Sequence, residues 1–130
     1  MPLQNTSFEQ IGSGNTATIQ CRGQGAQAAY TAAAAPLLVA DLITRIITYN
    51  AGGGNNLQLP LAADLDTALP NFPINSSFDF SVVALGAGTA TVTTNTGWTL
   101  VGSMAVAQNI AMLYRARKTA AGAWTLYQVS

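Results

Sequence analysis

The sequence predicts an all-β domain, an antiparallel β-sandwich or jelly-roll-like barrel, with one short helix and an extended N-terminal arm. Three observations predict this fold class. Short runs rich in β-branched and aromatic residues recur along the chain, apolar and polar residues alternate within several of them, and Gly, Asn and Pro separate them at near-regular spacing. About seven or eight such strands, mostly in antiparallel order, are typical of sandwiches and barrels.

The N-terminal arm is predicted over residues 1–30, and residues 31–130 are expected to form one domain. The first thirty residues are rich in Gln, Asn, Gly and Thr, and residues 16–21 have the pattern of one short strand. Because an extended chain of this length spans on the order of 100 Å, the arm is expected to reach a neighbouring subunit or a second protein.

The first half of the domain is predicted to hold two strands and the helix. Residues 42–49 are enriched in β-branched side chains, which favours a strand, and a shorter strand follows at 57–59. The helix is expected over residues 61–69, where leucines lie four apart between two prolines. Two aspartates, Asp64 and Asp66, are expected near the positive end of its dipole.

The second half reads as a series of strands joined by turns. Its predicted strands are 77–85, 89–94, 98–102, 110–116 and 123–129. In the first of these, alternation places Phe78, Phe80 and Val82 on the buried face and Asp79 and Ser81 on the other. The next strand is expected to turn Ala90 and Val92 inward.

The amino-acid composition argues against catalysis and against metal or cofactor binding. The chain has no histidine, one cysteine, and five basic residues balancing five acidic ones, a charged fraction of 8% where ~25% is usual. Histidine is the commonest proton shuttle and metal ligand, and neutral chains are not steered to nucleic acid or anionic membranes. We therefore predict no enzyme activity, no cofactor or metal, no binding of nucleic acid or membrane, and no small-molecule ligand. The start also lacks a secretion-signal pattern, so synthesis in a reducing cytoplasm is expected.

Two groups of side chains leave alternatives open. The basic cluster at Arg115, Arg117 and Lys118 is either a solvated hairpin end or a salt-bridging site for a partner. The aromatic residues are either core or a shelf on which sugar rings stack, and they are Tyr114, Trp98, Trp124 and Tyr127. As contacts within an oligomer or with a partner we select Tyr49, Arg115, Arg117 and Tyr127.

An ordered series of motifs resembles a module of tailed-phage virion proteins. It comprises residues 57–85, 89–94 and 97–103, then Arg115-Ala-Arg117 followed by Trp-Thr-Leu-Tyr at 124–127. The chain is similar in these motifs to capsid decoration (cement) proteins and, less closely, to fibre or spike tips. The resemblance implies a β-rich fold, a homotrimer, and attachment to the outside of an icosahedral phage head.

The leading hypothesis is therefore a cement protein of the virion surface, made in the cytoplasm of the bacterial host. The arm is expected to clamp the major capsid protein through Phe8, Ile11, Ile19 and Arg22. The alternative hypothesis is a receptor-binding tip of a tail or head fibre that recognises a host surface glycan.

Overall fold

The computed structural model describes residues 26–33 and 36–130, and this part of the chain is mostly β-structure in two sheets. The coarse prediction of an all-β fold is confirmed. In chain order the strands are β1 (Ala28–Tyr30), β2 (Ile46–Tyr49), β3 (Asn55–Gln58), β4 (Ser77–Ala84), β5 (Ala90–Thr93), β6 (Trp98–Val101), β7 (Ala105–Val106), β8 (Ala111–Ala120) and β9 (Ala123–Gln128). Two short helices, α1 (Val39–Ile43) and α2 (Ala62–Ala68), complete the described part.

Six strands form the larger sheet, in the order β1-β2-β4-β8-β9-β6, and three form the smaller one, in the order β3-β5-β7. The pairs β4–β8, β8–β9 and β5–β7 are antiparallel, whereas β1–β2, β2–β4, β3–β5 and β6–β9 are parallel. The prediction of mostly antiparallel order was therefore wrong. Among the described strands, only β1–β2 and β8–β9 join strands that are consecutive along the chain, and the other five pairs join strands that are farther apart in sequence.

The predicted helix at 61–69 is confirmed by α2, but α1 was not predicted. Residues 42–45, expected to begin a strand, instead end this helix and turn away from it. The Asp41 carboxylate accepts a hydrogen bond of 2.9 Å from the Leu38 N–H at the start of α1, and Arg45 adopts a positive φ of 73° before β2. Leu42 is fully buried, so its packing also favours the helix.

One hydrophobic core draws on both sheets and both helices. Phe80 and Val82 on β4 are buried, as are Ala90 and Val92 on β5, which confirms the predicted inward faces. Phe78 is half-buried and packs against the same core. The largest fully buried side chains are Trp124, Tyr49, Tyr114 and Phe80.

The edge strand β1 belongs to the segment that was predicted as an arm. Its three residues pair with Ile47, Thr48 and Tyr49 of β2. The predicted strand at 16–21 lies outside the described residues.

Candidate interaction surface

The larger sheet turns one face to the core, and the described residues leave most of its other face uncovered. We call the open side the outer face. Since side chains alternate along a strand, the outward positions follow from the buried ones between them. Its members are Ala29, Ile46, Thr48, Ser77, Asp79, Ser81, Val83, Thr99, Val101, Ala111, Leu113, Arg115, Arg117, Thr125, which is itself buried, Tyr127 and, just beyond β9, Val129.

A row of apolar side chains crosses the middle of the outer face. The strand registers place Ile46 beside Ser81, and Ser81 beside Leu113. Val129 follows on the other side of Leu113, since its N–H donates to the Leu113 carbonyl at 2.9 Å. Ile46 and Val129 are 46% and 43% exposed. The face thus presents apolar surface to its surroundings at its centre.

Each charged side chain of the outer face has a hydrogen-bond partner within the chain, and two of them form an ion pair. Arg115 donates two hydrogen bonds to the Asp79 carboxylate, at 2.8 Å from Nε and 3.1 Å from Nη2. These bonds lower the pKa of Asp79 against the opposing effect of its partial burial, and the charge of Arg45 adds to them. Arg117 donates to the side-chain oxygen of Asn75. The face therefore carries one ion pair and one further positive charge, that of Arg117.

Three of the four predicted partner contacts meet on this face. Arg115 lies opposite Tyr127 in the β8–β9 register, and Arg117 is two residues farther along β8. Tyr49 does not join them, because it is fully buried, donates to the Gly53 carbonyl and accepts a hydrogen bond of 2.7 Å from Asn55. The structure therefore removes Tyr49 from the candidate contacts.

The predicted contacts of the arm, Phe8, Ile11, Ile19 and Arg22, lie outside the described residues. Sequence reasoning also missed Ile46, Val83 and Leu113, which supply much of the apolar surface. The alternation on β4 carried the signal for Val83, since it predicted which neighbours face inward.

Asp66 has a structural role that the sequence did not reveal. Its carboxylate accepts hydrogen bonds from the Gly122 N–H, from Trp124 Nε1 at 2.9 Å and from Lys118 Nζ at 3.3 Å. Burial by itself raises the pKa of Asp66, but these three donors outweigh it and the pKa is lowered. The carboxylate therefore joins α2 to the β8–β9 hairpin, in addition to its place on the helix. Lys118 is thereby taken out of the predicted basic cluster.

The aromatic residues considered for a sugar shelf are mainly core residues. Trp98, Trp124 and Tyr114 are 7%, 1% and 0% exposed, and only Tyr127 reaches the outer face. Trp124 stacks on Phe72 with ring centroids 5.5 Å apart. These contacts stabilise the interior of the domain and leave no aromatic shelf at these positions.

Within the described residues, no three acidic, cysteine or histidine side chains come together as a metal site would require. No helix of the described part is both long and apolar enough to cross a membrane. Comparison of the chain with protein-family models, with curated proteins and with solved structures found no match.

Proposed function

We propose that this chain is a structural protein of a tailed-phage virion, a cement protein that decorates and stabilises the outside of the capsid. The observation that carries the proposal is the outer face, a broad sheet surface with apolar side chains at its centre and few charges, two of which form an ion pair. The resemblance of residues 57–127 to decoration proteins is the reason for assigning this surface to a protein of the phage capsid. A protein built on these lines acts by contact and changes no substrate.

The outer face supports self-association into the homotrimer. An exposed apolar sheet surface gains free energy of roughly 25 cal/mol for each Å² of apolar area that a neighbour covers. In a ring of three copies each interface joins two different surfaces, so the outer face of one copy packs against another part of the next. The two sheets, with their shared core, form a sandwich-like body that presents this face.

The N-terminal arm supplies the contact with the major capsid protein in this proposal. Phe8 and Ile11 are apolar side chains in a polar segment, suited to grooves between capsid subunits. Three arms on one trimer raise the effective concentration of each arm, and avidity then exceeds the affinity of a single arm by ~10²–10⁴.

A charged substitution at the centre of the outer face tests the proposal. Leu113→Glu places a carboxylate at the centre of the outer face, between Ser81 and Val129, whereas Leu38→Glu makes the same change at a side chain that is 63% exposed and precedes α1, outside the outer face. Sedimentation velocity should show Leu113→Glu as a monomer and Leu38→Glu as a trimer. Undecorated heads should bind the second variant and not the first. A trimeric Leu113→Glu variant that coats heads like the wild type would reject the proposal.

The same decoration assay should depend little on salt. Asp79 and Arg115 form an ion pair within the chain, and only Arg117 adds a net charge to the outer face, so screening over the ~8–10 Å Debye length of physiological solutions removes little attraction between copies. Release of the protein from heads at ~1 M NaCl would show that ion pairs with the shell carry the attachment.

A further inference from the structure

The strand β4 extends beyond its neighbour β2 at one end of the larger sheet. β2 begins at Ile46, which is paired with Ser81, whereas β4 begins four residues earlier at Ser77. On the other side, β8 pairs with β4 along this whole stretch. Within the described part of the chain, the first residues of β4 thus form a sheet edge on the side of β2.

The main chain of this edge points away from β8. The Lys118 N–H donates to the Ser76 carbonyl and the Ala84 N–H to Ile110, so the even-numbered residues of β4 bond toward β8. The Ser81 N–H donates to Arg45 on the β2 side, so the odd-numbered residues bond the other way. By this alternation the N–H groups of Ser77 and Asp79 point toward the open edge. The Asp79 carbonyl points the same way and accepts a hydrogen bond of 3.0 Å from Arg45 Nε, so an added strand pairs with the two N–H groups and the Ser77 carbonyl.

A groove with an apolar and a polar side runs along the same edge, with a volume of about 500 Å³. Apolar side chains from both helical regions and from β4 line one part of it, and polar groups line the rest. The lining residues are Ile43, Leu69, Phe72, Phe78, Ser77, Asp79, Arg45 and Arg115. A sheet edge beside apolar side chains is the arrangement that binds an added strand, through main-chain pairing and side-chain pockets.

The described chain begins at the same end of the sheet. β1 runs parallel to β2, with Ala28 paired to Ile47, so Gln27 lies level with the first residue of β2. A strand added beside β4 lies one strand spacing, ~5 Å, from the line of β1, and Ser77 lies four residues, ~13 Å, beyond the level of Gln27 along the strand axis. Twenty-five residues precede Ala26, and the connection from Cys21 through residues 22–25 to Ala26 spans up to ~17 Å at ~3.3 Å per residue, which is enough to cross both offsets.

We propose that residues 16–21 of this chain pair with the open edge of β4 and fill the groove of the same copy. In a strand over these residues, Ala17, Ile19 and Cys21 share one face, while Thr18 and Gln20 share the other. The first face matches the apolar side of the groove beside Phe78, and the second matches the polar side beside Asp79. The short connection to β1 favours docking within the copy, because it keeps the local concentration of the segment high.

Docking of residues 16–21 would fix the position from which the rest of the arm extends. Ile19 then contacts the groove instead of the capsid, and Phe8 and Ile11 remain in the part of the arm that reaches outward. The inference concerns the isolated chain and does not rest on the proposed function. A failed decoration assay therefore leaves it standing, and its own failure leaves the decoration proposal standing.

Amide hydrogen exchange of the full chain, followed by NMR, tests the pairing. The Ser77 and Asp79 amides should be protected in the wild type and exchange about 10- to 100-fold faster in Ile19→Asp, which removes a buried isoleucine from the groove. Ile11→Asp is the matched control and should leave them protected. Unchanged exchange at Val82, which bonds toward β8, would show that the fold is intact. Equal exchange of Asp79 in wild type and Ile19→Asp would overturn the proposal.

A spin label identifies the occupant directly. With Cys21→Ser removing the natural cysteine, Gln20→Cys carries a nitroxide on the polar side of the segment. Broadening of Ile43, Leu69 and Ser77 within the labelled chain supports docking in the groove, and its absence refutes it. A mixture of nitroxide-labelled chain with ¹⁵N-labelled chain that lacks the nitroxide distinguishes a segment supplied by the same copy from one supplied by a second copy. Broadening in that mixture would mean that a second copy supplies the strand, which contradicts docking within one copy.

Discussion

Replacement of Asp66 by asparagine should destabilise the domain far more than the same replacement at Asp64. The two residues share α2, but Asp64 is exposed, whereas the Asp66 side chain is 20% exposed and accepts three hydrogen bonds. Asparagine keeps one acceptor oxygen and turns an amide toward the Gly122 N–H. It also removes the charge opposite Lys118, whose side chain is only 12% exposed.

The expected loss follows from these contacts. A hydrogen bond to a charged group contributes ~1.5–3 kcal/mol, and a buried donor left without an acceptor costs ~1–3 kcal/mol. Asp66→Asn loses one such bond and weakens two others, so the free energy of unfolding should fall by about 2–4 kcal/mol. Asp64→Asn should change it by less than about 0.5 kcal/mol. Urea unfolding of both variants at one protein concentration measures the difference.

The pH dependence of the free energy of unfolding tests the same Asp66 contacts a second time. The pKa of Asp66 is lower in the folded chain than its ordinary value. Its stabilising contribution is therefore fully present above the unfolded pKa, ~3.9, and is lost as pH falls through the lowered folded pKa. The gap between wild type and Asp66→Asn should narrow at acid pH. A gap below about 0.5 kcal/mol at neutral pH, or one that stays constant as the carboxylate titrates, would refute the assignment.

Two further predictions concern a turn and the tyrosines. Gly97 has a φ of +91°, and a Cβ added there would lie 2.4 Å from a main-chain oxygen of the β8–β9 turn, so Gly97→Ala should cost ~2–4 kcal/mol in urea unfolding. Gly52→Ala is its control, since nothing lies within 4 Å of the added atom, and equal effects of the two would contradict the steric argument. Burial raises the pKa of Tyr114 to about 12, and burial together with Asp41 raises that of Tyr30 to about 12. The stabilising contribution of the two neutral tyrosines is fully present below pH ~10, the pKa of an unfolded tyrosine, and is lost as the pH rises toward 12. The urea midpoint of the double variant Tyr30→Phe/Tyr114→Phe should therefore decline less between pH ~10 and ~12 than that of the wild type.

The sequence could predict those parts of the fold that local patterns determine. The alternation of Phe80 and Val82 with polar neighbours in β4 identified both the strand and its buried face. The spacing of Leu61 and Leu65 between prolines identified α2. In each case a few adjacent residues contain the whole signal, because the period of the side chains directly reflects the local backbone.

The missed features depend on contacts between residues distant in sequence. Asp66 and Trp124 form a hydrogen bond although 58 positions separate them in sequence, and the residues around either one do not indicate this contact. The parallel pairing of β2 with β4 likewise requires the chain to leave and return between Tyr49 and Ser77. α1 has only five residues, so its helical state is decided by the burial of Leu42 and not by local propensity.

The outer face shows how the small number of charges and the proposed role fit together. A sheet that must associate without depending on pH or salt can carry few unpaired charges, and this one carries an ion pair and a single further charge, that of Arg117. Asp79 is held ionised by Arg115, which keeps the pair neutral as a unit at pH values well below those of physiological media. The chain contains no histidine, the side chain whose charge ordinarily changes between pH 5 and 8. What remains for recognition on this face is the apolar row through Ile46 and Leu113, whose attraction comes from the water it releases. The selectivity of this surface must therefore come from its shape and from the arm that precedes it, since charge contributes little to either affinity or encounter rate.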